Sequence, residues 1–303
     1  MIKILKNKKI ANFITFKLGG RAEFFCLAKN LDEIIEAIKW AKKRKIKWQI
    51  FAGGSNVIFP DKLIKGLLIC IRGGRNLVQK DRLIVDAGVP LVGVVKKSIS
   101  LGLKGLELLS GIPGTAGGAI VGNAGAYGYS ISEVVEKVEV WNEKRKAWLN
   151  NKECHFAYRE SVFKKKSYVV LRIVLKFKKG NKKELQKISQ SIIKQRNKKF
   201  NLKLKCPGSY FKNILVESLS KKSLKLIDKN KIKEGKVPAG YLLEQVGAKG
   251  MQVGKIKVAD FHGNMIMNLG SGRTKDVKKL AGILKNKVWK KFGIKLKEEV
   301  RYF

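Results

Sequence analysis

The chain has 303 residues, of which 45% are hydrophobic, enough for two or three domains with real cores and too many for wholesale disorder. Its formal charge of +43 favours anionic ligands. Lysines outnumber arginines 55 to 11 and are spread over almost every segment. That argues against specific nucleic-acid recognition, which favours arginine gathered in stripes with interleaved aromatics. Lysine, isoleucine and asparagine are abundant together and share AT-rich codons, so mutational drift accounts for the charge. The only histidines are His155 and His262, and Cys26, Cys70, Cys154 and Cys206 form no CxxC pair. A metal centre, a disulfide framework and a Ser-His-Asp triad are therefore not expected, and the thiols read as reduced and cytosolic.

In chain order, the opening MIKILKNKKIANF reads as mature sequence rather than a signal peptide. No apolar run approaches the roughly 18 to 20 residues that span a bilayer. Residues 31–45 predict a helix with Leu31, Ile34, Ile35, Ile38 and Ala41 on one face, acids early and bases late. Strands are predicted at Trp48–Ala52, Leu67–Ile71, Leu83–Asp86, Val134–Trp141 and Tyr168–Phe177. A second helix is expected over 181–199 through Leu185, Ile188, Ile192 and Gln195. A third is expected over 275–291 through Val277, Leu280, Leu284 and Val288, capped by Thr274. No repeat or Pro- or Ser-rich linker marks a domain boundary.

Two glycine-rich stretches stand out. Ile50–Ile58 runs from a strand through Gly53-Gly54-Ser55-Asn56 into a second strand. Glycines there let backbone N–H groups converge on an anion, although such a turn by itself is more often a hairpin. The stretch Glu107–Gly128 is much longer and has too little bulky side chain for a core of its own. It reads either as a close-packed helix or loop, or as a backbone-lined channel around a flat dinucleotide anchored by Ser110, Thr115 and Asn123.

Gly-Gly-Ser-Asn56, Ser110-Gly-Ile-Pro-Gly-Thr115 and Asn123-Ala-Gly-Ala-Tyr-Gly128 follow one another in an order that resembles the UDP-N-acetylenolpyruvoylglucosamine reductase family. Thr15–Ala22 resembles that family's opening motif. Tyr158-Arg-Glu-Ser161, Gly208-Ser-Tyr-Phe-Lys-Asn213, Ala239–Gln245 and Glu299-Val-Arg301 resemble its later ones. The resemblance runs from about residue 12 to the end. It implies an α+β fold: a vanillyl-alcohol-oxidase-like, two-part FAD-binding domain plus a C-terminal α+β substrate-binding domain. The implied parts are 1–71 (joined by a C-terminal strand, 293–303), 72–198 and 199–292, with FAD between the first two and the third closing over substrate. It further implies FAD and NADPH as cofactors, peptidoglycan synthesis as the role, a cytoplasmic monomer, and no membrane insertion.

The implied FAD contacts are Ala52, Gly53, Gly54, Ser55 and Asn56 on the first stretch. On the second they are Ser110, Gly111, Ile112, Gly114, Thr115, Gly118, Asn123 and Gly125. The implied reaction saturates an enol ether beside a carboxylate, leaving negative charge on the carbon that bears it. Arg159 matches the family's catalytic arginine, which holds the carboxylate and shares that charge. Ser209 matches its proton donor and Glu299 its catalytic glutamate. Tyr158, Lys199, Asn213 and Gln245 match substrate contacts, although Lys198 is an alternative to Lys199, since no proline follows the lysine here. The chain also departs from the pattern at Ala52, where a third glycine is common, and at Pro207, where a small residue is. The span from Tyr158 to the helix at 181 is short, as in the family form without the extra tyrosine loop. Read without the family, Arg159, Ser209 and Glu299 are an ordinary surface arginine, a turn serine and a solvated acid. The rival readings are another flavin oxidase on the same scaffold and a lysine-rich nucleic-acid-binding protein. Oxidases often tether FAD through a histidine, and neither histidine here lies in a glycine-rich motif.

Overall fold

The helix expected at 31–45 forms as α1, Leu31–Lys43. Asn30 caps it, its side-chain oxygen accepting the Glu33 N–H at 2.9 Å. It stops two residues early because Lys45 is left-handed, with φ +56. The Ile46 N–H then closes back on the Ala41 carbonyl at 3.1 Å. The computed structural model describes residues 2–199 and 204–303, apart from the side chains of Lys198 and Lys199. The chain forms two compact units, one of residues 1–8, 22–53 and 64–198, the other of residues 9–21, 54–63 and 199–303.

The first unit holds two sheets. Four strands lie in the order Ile4–Lys9, Arg21–Ala28, Ile64–Ile71 and Trp48–Phe51, with the last three parallel. The α1 face of Leu31, Ile34, Ala37, Ile38 and Ala41 is buried in a core shared with Cys26, Ala28, Leu67 and Ile69. The second sheet is antiparallel, in the order Lys146–Asn150, Val135–Trp141, Val169–Lys176, Arg82–Asp86 and Asn76–Gln79. It shares a core with α2 (Leu91–Ser100), α3 (Ala116–Gly122) and Leu185 of α4 (Lys182–Lys199). The strands at 48–51, 64–71, 82–86, 135–141 and 169–176 fall where the sequence predicts them. Of the α4 face, Leu185 and Ile192 are buried, whereas Ile188 is exposed.

The helices of the second unit include the short α5 (Lys221–Lys225) and α6 (Ala239–Glu244) and the long α7 (Thr274–Phe292). A meander of Gln252–Val253, Ile256–Val258 and Ile266–Asn268 packs against α7, which buries Val277, Leu280, Leu284 and Val288. Arg301–Tyr302 pairs in parallel with Val57–Ile58. One expectation is corrected here. Thr274 is not the cap of α7 but its first residue, and Arg273 is the N-cap. The Thr274 N–H donates to Asp61 Oδ2 at 2.8 Å and its hydroxyl to the Phe59 carbonyl at 2.7 Å. The orphan helix donor is thus satisfied by a side chain 213 residues away. Among the described residues, no helix is long and apolar enough to cross a membrane.

Candidate active site

In the first unit the glycine-rich segments meet backbone to backbone. A Cβ on Gly53 would lie 2.6 Å from Gly114 Cα, so no larger residue fits without moving one loop. The second loop is pinned from behind. Leu91 N–H bonds to the Gly114 carbonyl at 3.0 Å, Ala116 N–H to Val89 at 2.9 Å and Gly117 N–H to Ala87 at 2.8 Å. The stretch resolves into a loop followed by a short helix: Thr115 caps α3 by accepting the Gly118 N–H at 3.3 Å, and left-handed Asn123 ends it. Gly118 is exposed, with nothing nearer its Cβ position than Thr115 Oγ1 at 3.6 Å.

The hydroxyls and amide expected to anchor a ligand also brace the loop. Ser110 and Ser189 share a buried hydrogen bond at 2.7 Å. The Asn123 amide donates to the Ala157 carbonyl at 2.9 Å and its oxygen accepts the Ser132 N–H at 3.3 Å. What these glycines present is backbone, in a cradle that side chains would fill, and that suits a flat dinucleotide such as FAD.

Tyr158 and Arg159 form the tip of a tight turn closed by mutual bonds of Ala157 and Glu160 at 3.1 and 3.0 Å. Arg159 is left-handed, with φ +56, a conformation that costs a residue with a Cβ about 1 kcal/mol or more. Its side chain holds it there. The guanidinium donates to the Gly125 carbonyl at 2.8 Å and lies 3.5 Å from the Asn123 carbonyl. Lys164 Nζ donates to the Arg159 carbonyl at 2.5 Å, and Ser161 Oγ to the Val121 carbonyl at 2.7 Å. The Tyr158 ring centroid is 5.8 Å from the guanidinium carbon.

Arg196, which the motif reading misses, belongs to this neighbourhood. Its Cδ and Nε lie 3.3 Å from where a Gly111 Cβ would sit. Burial lowers its pKa, opposed by Tyr127 and helped by the positive charge of Arg159. The signal that finds it is periodic: Ser189, Ile192, Ile193 and Arg196 share one face of α4.

In the second unit, Ser55, Asn56, Ser209 and Glu299 converge. Asn56 Nδ2 donates to the Glu299 carbonyl at 3.2 Å, and the Arg301 N–H donates to the Asn56 carbonyl at 3.1 Å. A Cβ on Gly208 would be 4.0 Å from the Ser55 carbonyl oxygen. Gly208 takes φ +82 behind the buried Pro207, and Ser209 then pairs with Met265. The next residues run beside the C-terminal segment. Phe211 pairs with Glu298, and the Glu299 N–H donates to the Tyr210 carbonyl at 2.8 Å. Buried Asn264 clamps Phe211 from the other side, with its amide oxygen on the Phe211 N–H and its amide nitrogen on the Phe211 carbonyl, both at 2.8 Å.

Of the expected substrate contacts, Asn213 and Gln245 lie in the second unit. Asn213 Oδ1 accepts the Ala239 N–H at 3.1 Å and so caps α6. Gln245 is exposed at the end of α6, its carbonyl accepting Lys291 Nζ at 2.7 Å. The side chain of Lys199 lies outside the described residues, as does that of its alternative, Lys198.

Comparison with known proteins follows the same division. Residues 22–146 match the model of an FAD binding domain. Residues 195–303 match that of the UDP-N-acetylenolpyruvoylglucosamine reductase C-terminal domain. The reductase of that name from Solibacter usitatus is 39% identical, covering 96% of this chain and 93% of that protein. The chain belongs to the UDP-N-acetylenolpyruvoylglucosamine reductase family. The Caldanaerobacter subterraneus member is 33% identical over 99% of this chain, and the Bacillus subtilis member 32% over 98%; the chain covers 93% of each. The crystal structure of the Thermus caldophilus reductase superposes with a TM-score of 0.78 at 26% identity, covering 100% of this chain and 99% of that one. The α+β fold expected from the motifs, with an FAD-binding part and a C-terminal reductase domain, is the fold of this family.

Proposed function

We propose that the protein is an FAD-dependent oxidoreductase that uses NADPH to reduce the enolpyruvyl group of UDP-N-acetylenolpyruvoylglucosamine to the lactyl ether, giving UDP-N-acetylmuramate for peptidoglycan synthesis. Family membership supports the reaction class. The observation that carries the mechanism is the strand register laying the Ser209 segment along Glu299, through the Glu299 N–H to Tyr210 carbonyl bond at 2.8 Å. Two residues expected to supply protons, 90 positions apart in sequence, thus become neighbours in one unit.

Bound FAD, once reduced by NADPH, supplies the hydride that the vinyl carbon requires. Gly53, Gly114, Thr115 and Gly118 would hold it through backbone groups. The remaining work falls to side chains of this chain. Arg159, fixed by the Gly125 carbonyl, binds the substrate carboxylate and stabilises the charge that develops beside it. Ser209 delivers the proton to the carbon bearing that carboxylate, and the Glu299 carboxyl is the second acid beside the developing enolate. Tyr158, Lys199, Asn213 and Gln245 are proposed substrate contacts. The functional parts we assign are 1–71 with 293–303, 72–198 and 199–292, in a cytoplasmic monomer without a specific nucleic-acid partner.

The test is direct. The purified protein should be yellow, or take up added FAD, and release the flavin on denaturation. Anaerobic NADPH should bleach it, and UDP-N-acetylenolpyruvoylglucosamine should restore the colour. A protein that takes up no FAD, or whose reduced flavin ignores that substrate, overturns the reading.

A further inference from the structure

The phenols of Tyr210 and Tyr302 hydrogen-bond to each other across 92 residues of chain. Tyr210 immediately follows Ser209, and Tyr302 lies three residues beyond Glu299. Tyr210 is fully buried, at 0% exposure. Phenylalanine would fill such a site without needing a partner, whereas a buried phenol costs free energy unless its hydroxyl is bonded. Each hydroxyl here satisfies the other. Burial, with the bond to Tyr302 second, drives the Tyr210 phenol far above its ordinary range, and burial pushes Tyr302 up to about 12. Both are neutral phenols at any physiological pH.

The two segments meet in a short backbone ladder: Phe211 pairs with Glu298, flanked by the Glu299 to Tyr210 bond and the Lys212 N–H to Lys297 carbonyl bond at 2.9 Å. The flanks are firm: Asn264 clamps Phe211 on one side. On the other, α7 holds the C-terminal segment through Lys285 to Glu298 at 2.8 Å and through Lys278, 5.3 Å from the Tyr302 ring centroid. The phenol pair adds a side-chain tie between the two.

We propose that the Tyr210–Tyr302 hydrogen bond is a positioning device, locking the Ser209 segment in register with the Glu299 strand so that the serine hydroxyl stands where proton delivery requires it. The inference rests on the reading of Ser209 and Glu299 as the proton-supplying groups. Misplacing a catalytic group by a fraction of an ångström is costly to rate while leaving substrate binding intact.

Tyr302→Phe removes one hydroxyl and keeps the ring beneath Lys278. In the FAD-loaded full chain, reduction by NADPH should be unchanged. Reoxidation by UDP-N-acetylenolpyruvoylglucosamine should slow about tenfold at saturation, with the half-saturating concentration unmoved. Tyr210→Phe should do the same. In a Ser209→Ala background, Tyr302→Phe should add no further slowing, because the group it positions is gone. Amide exchange at Glu299 should quicken independently of turnover. Unaltered reoxidation in Tyr302→Phe, equal slowing of both half-reactions, or a further tenfold loss on top of Ser209→Ala would each overturn the proposal. If Ser209→Ala alone leaves reoxidation untouched, the proton-donor reading falls with it. A slow Ser209→Ala beside a fast Tyr302→Phe defeats only the positioning role.

Discussion

Arg159 occupies a left-handed turn position that favours glycine or asparagine, and three interactions keep it there: its guanidinium on Gly125, Lys164 on its carbonyl and the closed Ala157–Glu160 turn. A planar fork grips the Gly125 carbonyl and, in the proposed role, presents donors to a carboxylate. Arg159→Lys keeps the charge and loses the fork. It should slow flavin reoxidation by the enolpyruvyl substrate by about two orders of magnitude while NADPH reduction survives, as separate stopped-flow traces would show. An unimpaired lysine variant would mean that charge alone suffices there.

Ser209 makes a sharper case, since in the proposed role its hydroxyl is needed only after hydride has left the flavin. Ser209→Ala should leave FAD content and reduction by NADPH intact and slow reoxidation by roughly two orders of magnitude or more. Ser209→Cys should fall between. A merely structural serine would instead weaken both half-reactions together and lower the melting temperature. In that event Glu299 is the next acid to test.

The elements differ in how openly the sequence announces them. α1, α4 and α7 carry apolar stripes at helical spacing and could be read directly. α2 could not: Leu91–Ser100 contains Gly93 and several β-branched residues, a composition that suits strand as well as helix. Its helicity is decided by burial of Leu91, Val94, Val95, Ser98 and Ile99 against the second sheet. The Glu107–Gly128 stretch likewise left helix and loop open, and the Thr115 cap together with the pairing of Pro90 with Thr115 settles it. The loop contact it makes is testable. Gly53→Ala places a Cβ 2.6 Å from Gly114 Cα and should destabilise by about 1–3 kcal/mol while cutting the flavin-to-protein absorbance ratio. Gly93→Ala, whose Cβ meets nothing within 4 Å, should leave that ratio unchanged and raise stability slightly. Equal behaviour of the two variants would dismiss the close approach as important.

On the scale of the whole molecule, two features of charge and burial yield predictions. The lysine excess is diffuse, so nucleic-acid affinity should be weak, blind to sequence and steeply reduced by salt. Selective binding that persists at physiological salt would reverse that view. The buried thiols act at high pH. Burial pushes Cys26 up to about 11 and Cys70 and Cys154 up to about 12, from 9.0. Above pH 9 the unfolded chain releases these protons while the folded chain keeps them. Their stabilisation is therefore complete below pH 9 and is lost as pH rises toward 11 and 12. Urea midpoints should fall across that window, and Cys70→Ala should flatten part of the decline; an identical decline would clear the thiol of any role.

Helix faces, strand runs, the placement of glycines and the order of the short motifs are local properties, and the amino-acid sequence determined them without help from the fold. Periodicity and steric permissiveness need only neighbours a few residues away. The convergence of Asn56, Ser209 and Glu299, the Asp61 bond at the start of α7 and the pairing of Tyr210 with Tyr302 belong to the tertiary structure alone. Each joins residues 90 to 243 positions apart. No local pattern encodes such a bond, because which donor meets which acceptor is decided only when the apolar faces of the intervening elements have been buried.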